Sequence, residues 1–293
     1  DVLQGTLMFF ALIMVAAMGV MLTGGFGDLF ATLEAQNPAL LDPFIADGGQ
    51  ALGAIGILSL LAWGLGYPGQ PHILARFMAI RSADELPAAR RVAMGWVIVV
   101  LVAAVMVGLV AIPLLDPALE GPESEKAFIL MSVKYLHPIL AGVCLSGILA
   151  AVMSTAAAQL LVASSAFAED FYKGLLRTNP GRGELLWVGR GAVLVIAAFA
   201  FLLALDPENK VLDLVAWAWA GFGAAFGPAI VMSLYWDRMT RNGALAGIIV
   251  GGLTVILWKQ GSGGIFDLYE MVPGVLLSTL AVWSVSLLGN RRA

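Results

Sequence analysis

Charged residues are scarce in this chain of 293 residues. Asp, Glu, Lys and Arg together make up 12% of it, against roughly 25% in soluble domains. None of them lies near the middle of the long apolar runs described below. This scarcity excludes an ordinary soluble domain, and it excludes a relay of carboxylates that would carry protons through a membrane.

Residues typical of enzymes and metal centres are also few. The one cysteine, Cys144, is expected to be a small core residue and cannot form an intrachain disulfide. The two histidines, His72 and His137, lack the spacing of metal ligands. Nucleotide-binding, metalloprotease and serine-hydrolase motifs are absent, as is a basic stripe with interleaved aromatics. We therefore expect no enzyme, no organic cofactor, no nucleic-acid partner and no obligate protein partner.

Hydrophobic residues, by contrast, make up 60% of the chain. Apolar runs of about 20 residues are long enough to cross a bilayer. Eight such spans are predicted: 2–22, 52–78, 92–115, 138–166, 187–205, 211–235, 243–258 and 271–288. Residues 29–33 and 124–135, in the loops between spans, are expected to form short helices. The predicted fold class is an all-α polytopic membrane protein in contact with lipid.

The basic residues predict the orientation of the spans, because cytoplasmic loops are enriched in Lys and Arg. Twelve of the sixteen fall in loops on one side: Arg76, Arg81, Arg90, Arg91, Lys173, Arg177, Arg182, Arg190, Arg238, Arg241, Arg291 and Arg292. The opposite loops hold four: Lys126, Lys134, Lys210 and Lys259. Both ends of the chain are therefore expected in the cytoplasm.

The second span contains a run that breaks a helix. Residues 63–72 read WGLGYPGQPH, and they include two prolines and the glycines Gly64, Gly66 and Gly69. Broken backbone at membrane depth leaves hydrogen-bonding groups unpaired unless it lines a cavity or binds a ligand. The alternative is a kink that neighbouring helices satisfy. If the run binds a ligand, Trp63 and Tyr67 are the candidate aromatic wall and Gln70 a candidate amide contact.

The fourth span carries hydroxyl groups on one face. Ala151, Ser154 and Thr155 stand at positions i, i+3 and i+4 of a predicted helix, and therefore share a face. Two hydroxyl oxygens and a nearby carbonyl suit a singly charged cation such as Na⁺. On spacing alone, hydroxyls that bond the preceding turn and help helices pack are the more common case.

The sixth span contains the glycines Gly221, Gly223 and Gly227, followed by Pro228. These residues favour either a gating hinge or a tight helix contact, and the sequence does not separate the two. Gly64, Gly66 and Gly69 of the interrupted span are also candidate hinge positions.

Several of these runs resemble the sodium:solute symporter family, and within it the bacterial sodium/proline symporters. The resemblance rests on residues 63–67 (WGLGY), 69–72 (GQPH), 75–79 (ARFMA), 150–155 (AAVMST), 164–165 (SS), 169–170 (ED), 219–228 (WAGFGAAFGP) and 238–247 (RMTRNGALAG). These blocks follow the family's order along almost the whole chain.

The resemblance implies a LeuT-like fold of two inverted five-helix repeats with extra peripheral helices. In a single transporter domain, 1–293, residues 1–22 would be the fifth core helix, 52–235 the second repeat and 243–288 two peripheral helices. The first four core helices would then be missing. Because the chain also begins without methionine, we expect a fragment that does not transport by itself.

The resemblance also implies a function: Na⁺-coupled uptake of L-proline by alternating access in a bacterial inner membrane. Na⁺ would be the coupling ion, held at Ala151, Ser154 and Thr155. Substrate contacts would fall at Trp63, Tyr67 and Pro71, and Asp1 would lie on the inward route of the ion.

Three departures from the family pattern leave the substrate open. Residues 156–158 are alanines, Pro68 replaces a usual phenylalanine, and Asp213 stands where a small residue is expected. The alternatives are a Na⁺ symporter for another small amino acid or carboxylate, and a transporter-like sensor domain of a histidine kinase.

Overall fold

The computed structural model describes residues 2–45, 49–205 and 211–289, and these ranges are helical almost throughout. The helices are α1 (Val2–Leu22), α2 (Phe26–Gln36), α3 (Ala54–Ala62), α4 (Pro71–Met78), α5 (Leu86–Leu114), α6 (Ala127–Tyr135), α7 (Pro138–Ser165), α8 (Arg182–Leu203), α9 (Val211–Tyr235), α10 (Arg241–Trp258) and α11 (Met271–Gly289). The predicted short helices in the loops are confirmed as α2 and α6.

Seven helical stretches within the described ranges are long and apolar enough to cross a membrane: Val2–Leu22, Ala83–Leu114, Pro138–Leu176, Arg182–Leu203, Val211–Tyr235, Arg241–Trp258 and Met271–Gly289. The predicted number of eight is therefore too high by this measure. The second predicted span, 52–78, consists of shorter pieces instead, because its glycines and prolines interrupt the helix.

The fourth predicted span is longer than expected. A π-helical stretch, Ala166–Leu176, extends α7 beyond residue 166. Its Lys173 and Glu169 side chains form an exposed ion pair at 2.8 Å. The prediction stopped where the apolar run ended, whereas the helical hydrogen bonds continue into polar sequence.

The chain forms two compact units. The first contains α1, α2 and α5 to α8. Its core includes Val15, Val110 and Cys144, all fully buried, so the predicted core role of Cys144 is confirmed. A methyl group at Gly147 would lie 3.0 Å from the Ala11 Cβ, which shows how closely α7 approaches α1. Small residues at such contacts are typical of membrane helices.

The second unit contains α3, α4, α9, α10 and α11. Its buried core consists of Ala62, Ala220, Ala224, Val255 and Met271, which are contributed by α3, α9, α10 and the start of α11. This unit holds the interrupted span and the helix with which it packs.

Helices α10 and α11 pack along a line of small residues. The Ser278 hydroxyl on α11 donates a 2.9 Å hydrogen bond to the Gly247 carbonyl on α10. The glycines of α10 leave room for this approach, since a methyl group at Gly247 would lie 3.2 Å from the Ser278 carbonyl oxygen.

Two adjacent glycines of α10 provide a matched test of this packing. A methyl group at Gly251 would lie 2.7 Å from the Ala224 carbonyl carbon and 3.0 Å from the Ser278 Cβ, whereas one at Gly252 meets nothing within 4 Å. We expect Gly251→Ala to destabilise the protein by about 1–3 kcal/mol, because backbone must move to admit the methyl group. Gly252→Ala should be neutral or stabilising, because alanine favours a helix. Thermal unfolding of both variants in detergent measures this, and equal melting temperatures would contradict it.

Candidate substrate and sodium sites

The interrupted span is built from three pieces. Helix α3 ends at Ala62, a 3₁₀ segment follows at Trp63–Gly69, and α4 begins at Pro71. Pro68 lies inside the 3₁₀ segment, and Gln70 between the pieces has extended backbone (φ −89°, ψ 108°). Proline suits the first position of α4 because its missing N–H would be unpaired there in any case. The predicted break is confirmed.

Helix α9 contacts the 3₁₀ segment backbone against backbone. A methyl group at Gly69 would lie 2.7 Å from the Gly223 Cα and 3.0 Å from the Gly227 nitrogen, and one at Gly223 would lie 2.7 Å from the Gly66 Cα. At Gly66 a methyl group would also overlap the Trp219 indole. A side chain at Gly66, Gly69 or Gly223 would therefore prevent this contact, whereas one methyl group at Gly227 would lie at ordinary contact distance, 3.6 Å from the Leu65 carbonyl oxygen.

Two of the predicted hinge glycines make no such contact. A methyl group at Gly64 or Gly221 would meet nothing within 4 Å. Helix α9 runs without interruption from Val211 to Tyr235, through Gly221 and Pro228. A hinge role for any of the six glycines stays a prediction.

Trp219 of α9 binds both ends of the 3₁₀ segment. Its indole Nε1–H donates to the Trp63 carbonyl at 3.0 Å. Its own carbonyl accepts from the Gln70 amide nitrogen at 3.2 Å. Gln70 is only 3% exposed, so its amide is already used within the protein. Its predicted role as a substrate contact stays untested.

Aromatic rings surround the start of this segment. The Trp63 ring stacks with Trp219 at a centroid distance of 5.5 Å and with Tyr269 at 6.3 Å, and the interplanar angle is 14° in both pairs. Tyr67 meets Trp219 edge to face at 4.9 Å and is 51% exposed. Of the predicted substrate residues, Trp63 and Pro71 are half-buried, and Tyr67 is the most open ring.

Tyr269 joins this aromatic group from the residues just before α11. Its hydroxyl donates to the Ala216 carbonyl at 2.6 Å, and its backbone N–H donates to the Ser59 hydroxyl at 2.9 Å. Burial raises the pKa of Tyr269 above its usual range, and the Glu270 carboxylate raises it further. Tyr269 therefore keeps its proton and remains a hydrogen-bond donor at neutral pH.

Trp219 and Tyr269 were not predicted as site residues. Trp219 lies in residues 219–228, a run that we interpreted only from its glycines and proline. A tryptophan N–H inside a membrane needs a partner, however, and could have indicated a polar contact. Tyr269 lies outside the predicted spans, so its hydroxyl gave no sign of a buried partner, and its partners are more than 50 residues distant along the chain.

The predicted sodium residues lie in the other compact unit, on α7, which is continuous through them. Ala151 and Ser154 are half-buried, and Thr155 is exposed. Across residues 2–45, 49–205 and 211–289 there is no cluster of three His, Cys, Asp or Glu side chains that could hold a metal ion. Asp1, predicted on the ion's route, lies outside the described residues.

The family model of the sodium:solute symporter family matches residues 1–251. The chain belongs to this family. Among its relatives, the sodium/proline symporter of Escherichia coli (strain K12) is 48% identical over 295 residues, a match covering 99% of this chain and 57% of that protein. The high-affinity proline transporter PutP of Bacillus subtilis (strain 168) is 47% identical over 292 residues, with 98% and 60% covered.

A solved structure shares the fold. It is the substrate-bound outward-open state of a Na⁺-coupled sialic acid symporter, with a TM-score of 0.71 and 19% identity, and the match covers 98% of this chain and 61% of that one. The predicted fold class, an all-α membrane protein with the LeuT-like architecture of this family, is confirmed. The protein is thus a multi-pass membrane protein, and the chain spans about three-fifths of the length of the relatives it matches.

Proposed function

We propose that this chain is part of a symporter that uses the Na⁺ gradient to take up L-proline by alternating access. The observation that carries the proposal is the broken helix, which packs against α9 and leaves Tyr67 half exposed. The chain that contains it is 48% identical to a sodium/proline symporter. Interrupted helices at membrane depth are where secondary transporters hold substrates and ions. Transport of this kind forms and breaks no covalent bond, so the protein is not an enzyme.

In this proposal, proline binds beside the 3₁₀ segment. Its pyrrolidine ring is apolar and would pack on the exposed face of Tyr67, with Trp63 and Pro71 completing the contact. The interruption between α3 and α4 leaves backbone polar groups outside regular α-helical bonding, and such groups are suited to the charged ends of an amino acid.

Na⁺ would bind on α7, at the Ala151 carbonyl and the Ser154 and Thr155 hydroxyls. These oxygens are neutral, which suits a singly charged ion that must also be released. Thr155 is exposed in this chain, so further oxygen ligands can approach it. The matched relatives are longer than this chain, and the remaining ligands would come from residues outside it.

The loops and the relatives support a location for the protein. We propose a bacterial inner membrane with the arginine-rich loops in the cytoplasm, since Lys and Arg are retained on that side. The partners are then a small-molecule substrate and lipid, without an obligate protein partner.

Uptake by the full-length transporter in proteoliposomes tests the function. We expect labelled L-proline to accumulate under an inward Na⁺ gradient, and not under an equal K⁺ gradient. Excess unlabelled proline should compete more strongly than other small amino acids or carboxylates. Stronger competition by another solute would contradict the substrate, and equal uptake in Na⁺ and K⁺ would contradict the coupling ion.

A further inference from the structure

One residue of α9 contacts both ends of the segment proposed to bind substrate. The indole N–H of Trp219 donates to the carbonyl of Trp63, the first residue of the 3₁₀ segment. The carbonyl of Trp219 accepts from the side chain of Gln70, the residue just after the segment. The two hydrogen bonds therefore bracket all seven residues of the segment.

Both hydrogen bonds are partly shielded from water. Gln70 is buried, and Ala220, which follows Trp219, is fully buried. A polar group that loses its partner in such surroundings is left unsatisfied, which is more costly than losing a bond at a wet surface. Removal of the indole N–H would thus weaken the attachment of one end of the segment to α9.

Ring packing adds a second constraint at the same end. The Trp63 ring stacks with both Trp219 and Tyr269, and the edge-to-face contact of Trp219 with Tyr67 fixes the ring that remains half exposed. Trp219 therefore touches Tyr67 by its ring, Trp63 by its ring and N–H, and Gln70 by its carbonyl.

We infer that Trp219 is a positioning residue for the substrate segment, which fixes both ends of the segment and so sets the position of Tyr67. The inference rests on the proposed function. The Trp219 side chain needs no contact with substrate in this role, because it acts through Tyr67 and the backbone of the segment. Its loss should weaken substrate binding while leaving the sodium dependence of uptake unchanged.

The test compares Trp219→Phe with Trp217→Phe in the full-length transporter. Trp217 lies two residues away on the same helix and is 48% exposed, so it controls for the loss of a tryptophan. We expect Trp219→Phe to raise the KM for proline roughly three- to tenfold, the effect of one lost hydrogen bond. The maximal rate and the Na⁺ concentration for half-maximal uptake should stay near those of Trp217→Phe.

A readout independent of transport accompanies the kinetics. Hydrogen–deuterium exchange of the purified protein should become faster in residues 63–74 of Trp219→Phe, and stay unchanged in α10. If Trp219→Phe does not fold, 3-benzothienylalanine at position 219 keeps the ring shape and removes only the N–H donor.

The outcomes separate the two ideas. An unchanged KM together with unchanged exchange at residues 63–74 overturns the positioning role, while the proposed function stands. If the wild-type transporter shows no Na⁺-dependent proline uptake, the proposed function fails, and the exchange measurement still decides whether Trp219 holds the segment. A fall in maximal rate with no change in KM or exchange also overturns the role.

Discussion

Thr155→Ala in the full-length transporter should lower the apparent Na⁺ affinity of proline uptake by about 10- to 100-fold. The estimate follows from the loss of one oxygen that bonds a charged partner, which is worth about 1.5–3 kcal/mol. The hydroxyl is exposed on α7 beside Ala151 and Ser154, and alanine removes it with little change in helix stability. Uptake measured over a Na⁺ titration gives the result.

Two substitutions control this experiment. Thr155→Ser keeps the hydroxyl and should retain most of the Na⁺ dependence. Ser146→Ala removes another hydroxyl of the same helix, one that is exposed and donates to the Gly142 carbonyl at 2.8 Å, and it should leave the Na⁺ titration unchanged. A Thr155→Ala transporter with the wild-type Na⁺ titration would disprove the proposed sodium site.

Gly69→Ala should reduce proline uptake by about 10- to 100-fold, because overpacking of a tight contact typically costs about 1–3 kcal/mol. The added methyl group would lie 2.7 Å from the Gly223 Cα and 3.0 Å from the Gly227 nitrogen. Both are backbone atoms and cannot rotate away, so the 3₁₀ segment must separate from α9. Initial uptake rates at matched amounts of membrane-inserted protein measure the effect.

Gly252→Ala is the control, since its methyl group meets open space on α10. Gly64→Ala tests whether backbone flexibility within the 3₁₀ segment matters, because position 64 belongs to the segment but is as open as position 252. Loss of uptake there would indicate that the flexibility of the glycine matters, in support of the hinge prediction. Normal uptake in Gly69→Ala would show that the close contact with α9 is not needed.

The sequence was sufficient to predict the membrane class, the order of the helices and the break at residues 63–72. These depend on local properties: apolar length, and the backbone chemistry of glycine and proline. The errors of the sequence predictions have the same local origin. Apolar length counted 52–78 as a crossing like the other seven spans and ended the fourth span at 166, because it does not register 3₁₀ and π-helical hydrogen bonding.

The surroundings of the break could not be read from local sequence. Trp63 lies 156 residues from Trp219 and even further from Tyr269, and only the packing of α9 and α11 brings them together. Likewise, spacing placed Ala151, Ser154 and Thr155 on one face, but it could not say how exposed each would be. The Gln70 amide nitrogen has a partner, the Trp219 carbonyl, that local sequence does not show, and its role as a substrate contact stays a prediction.

The glycine contact between the 3₁₀ segment and α9 has an entropic consequence. A seam of leucines would lose about 0.5–1 kcal/mol of rotamer freedom for each side chain that it immobilised. Gly66, Gly69, Gly223 and Gly227 have no rotamers to lose, so the backbones of the segment and α9 meet there without that cost. If substrate binds at Tyr67 as proposed, it meets a segment already held against α9, and little of its binding free energy is needed to organise the site.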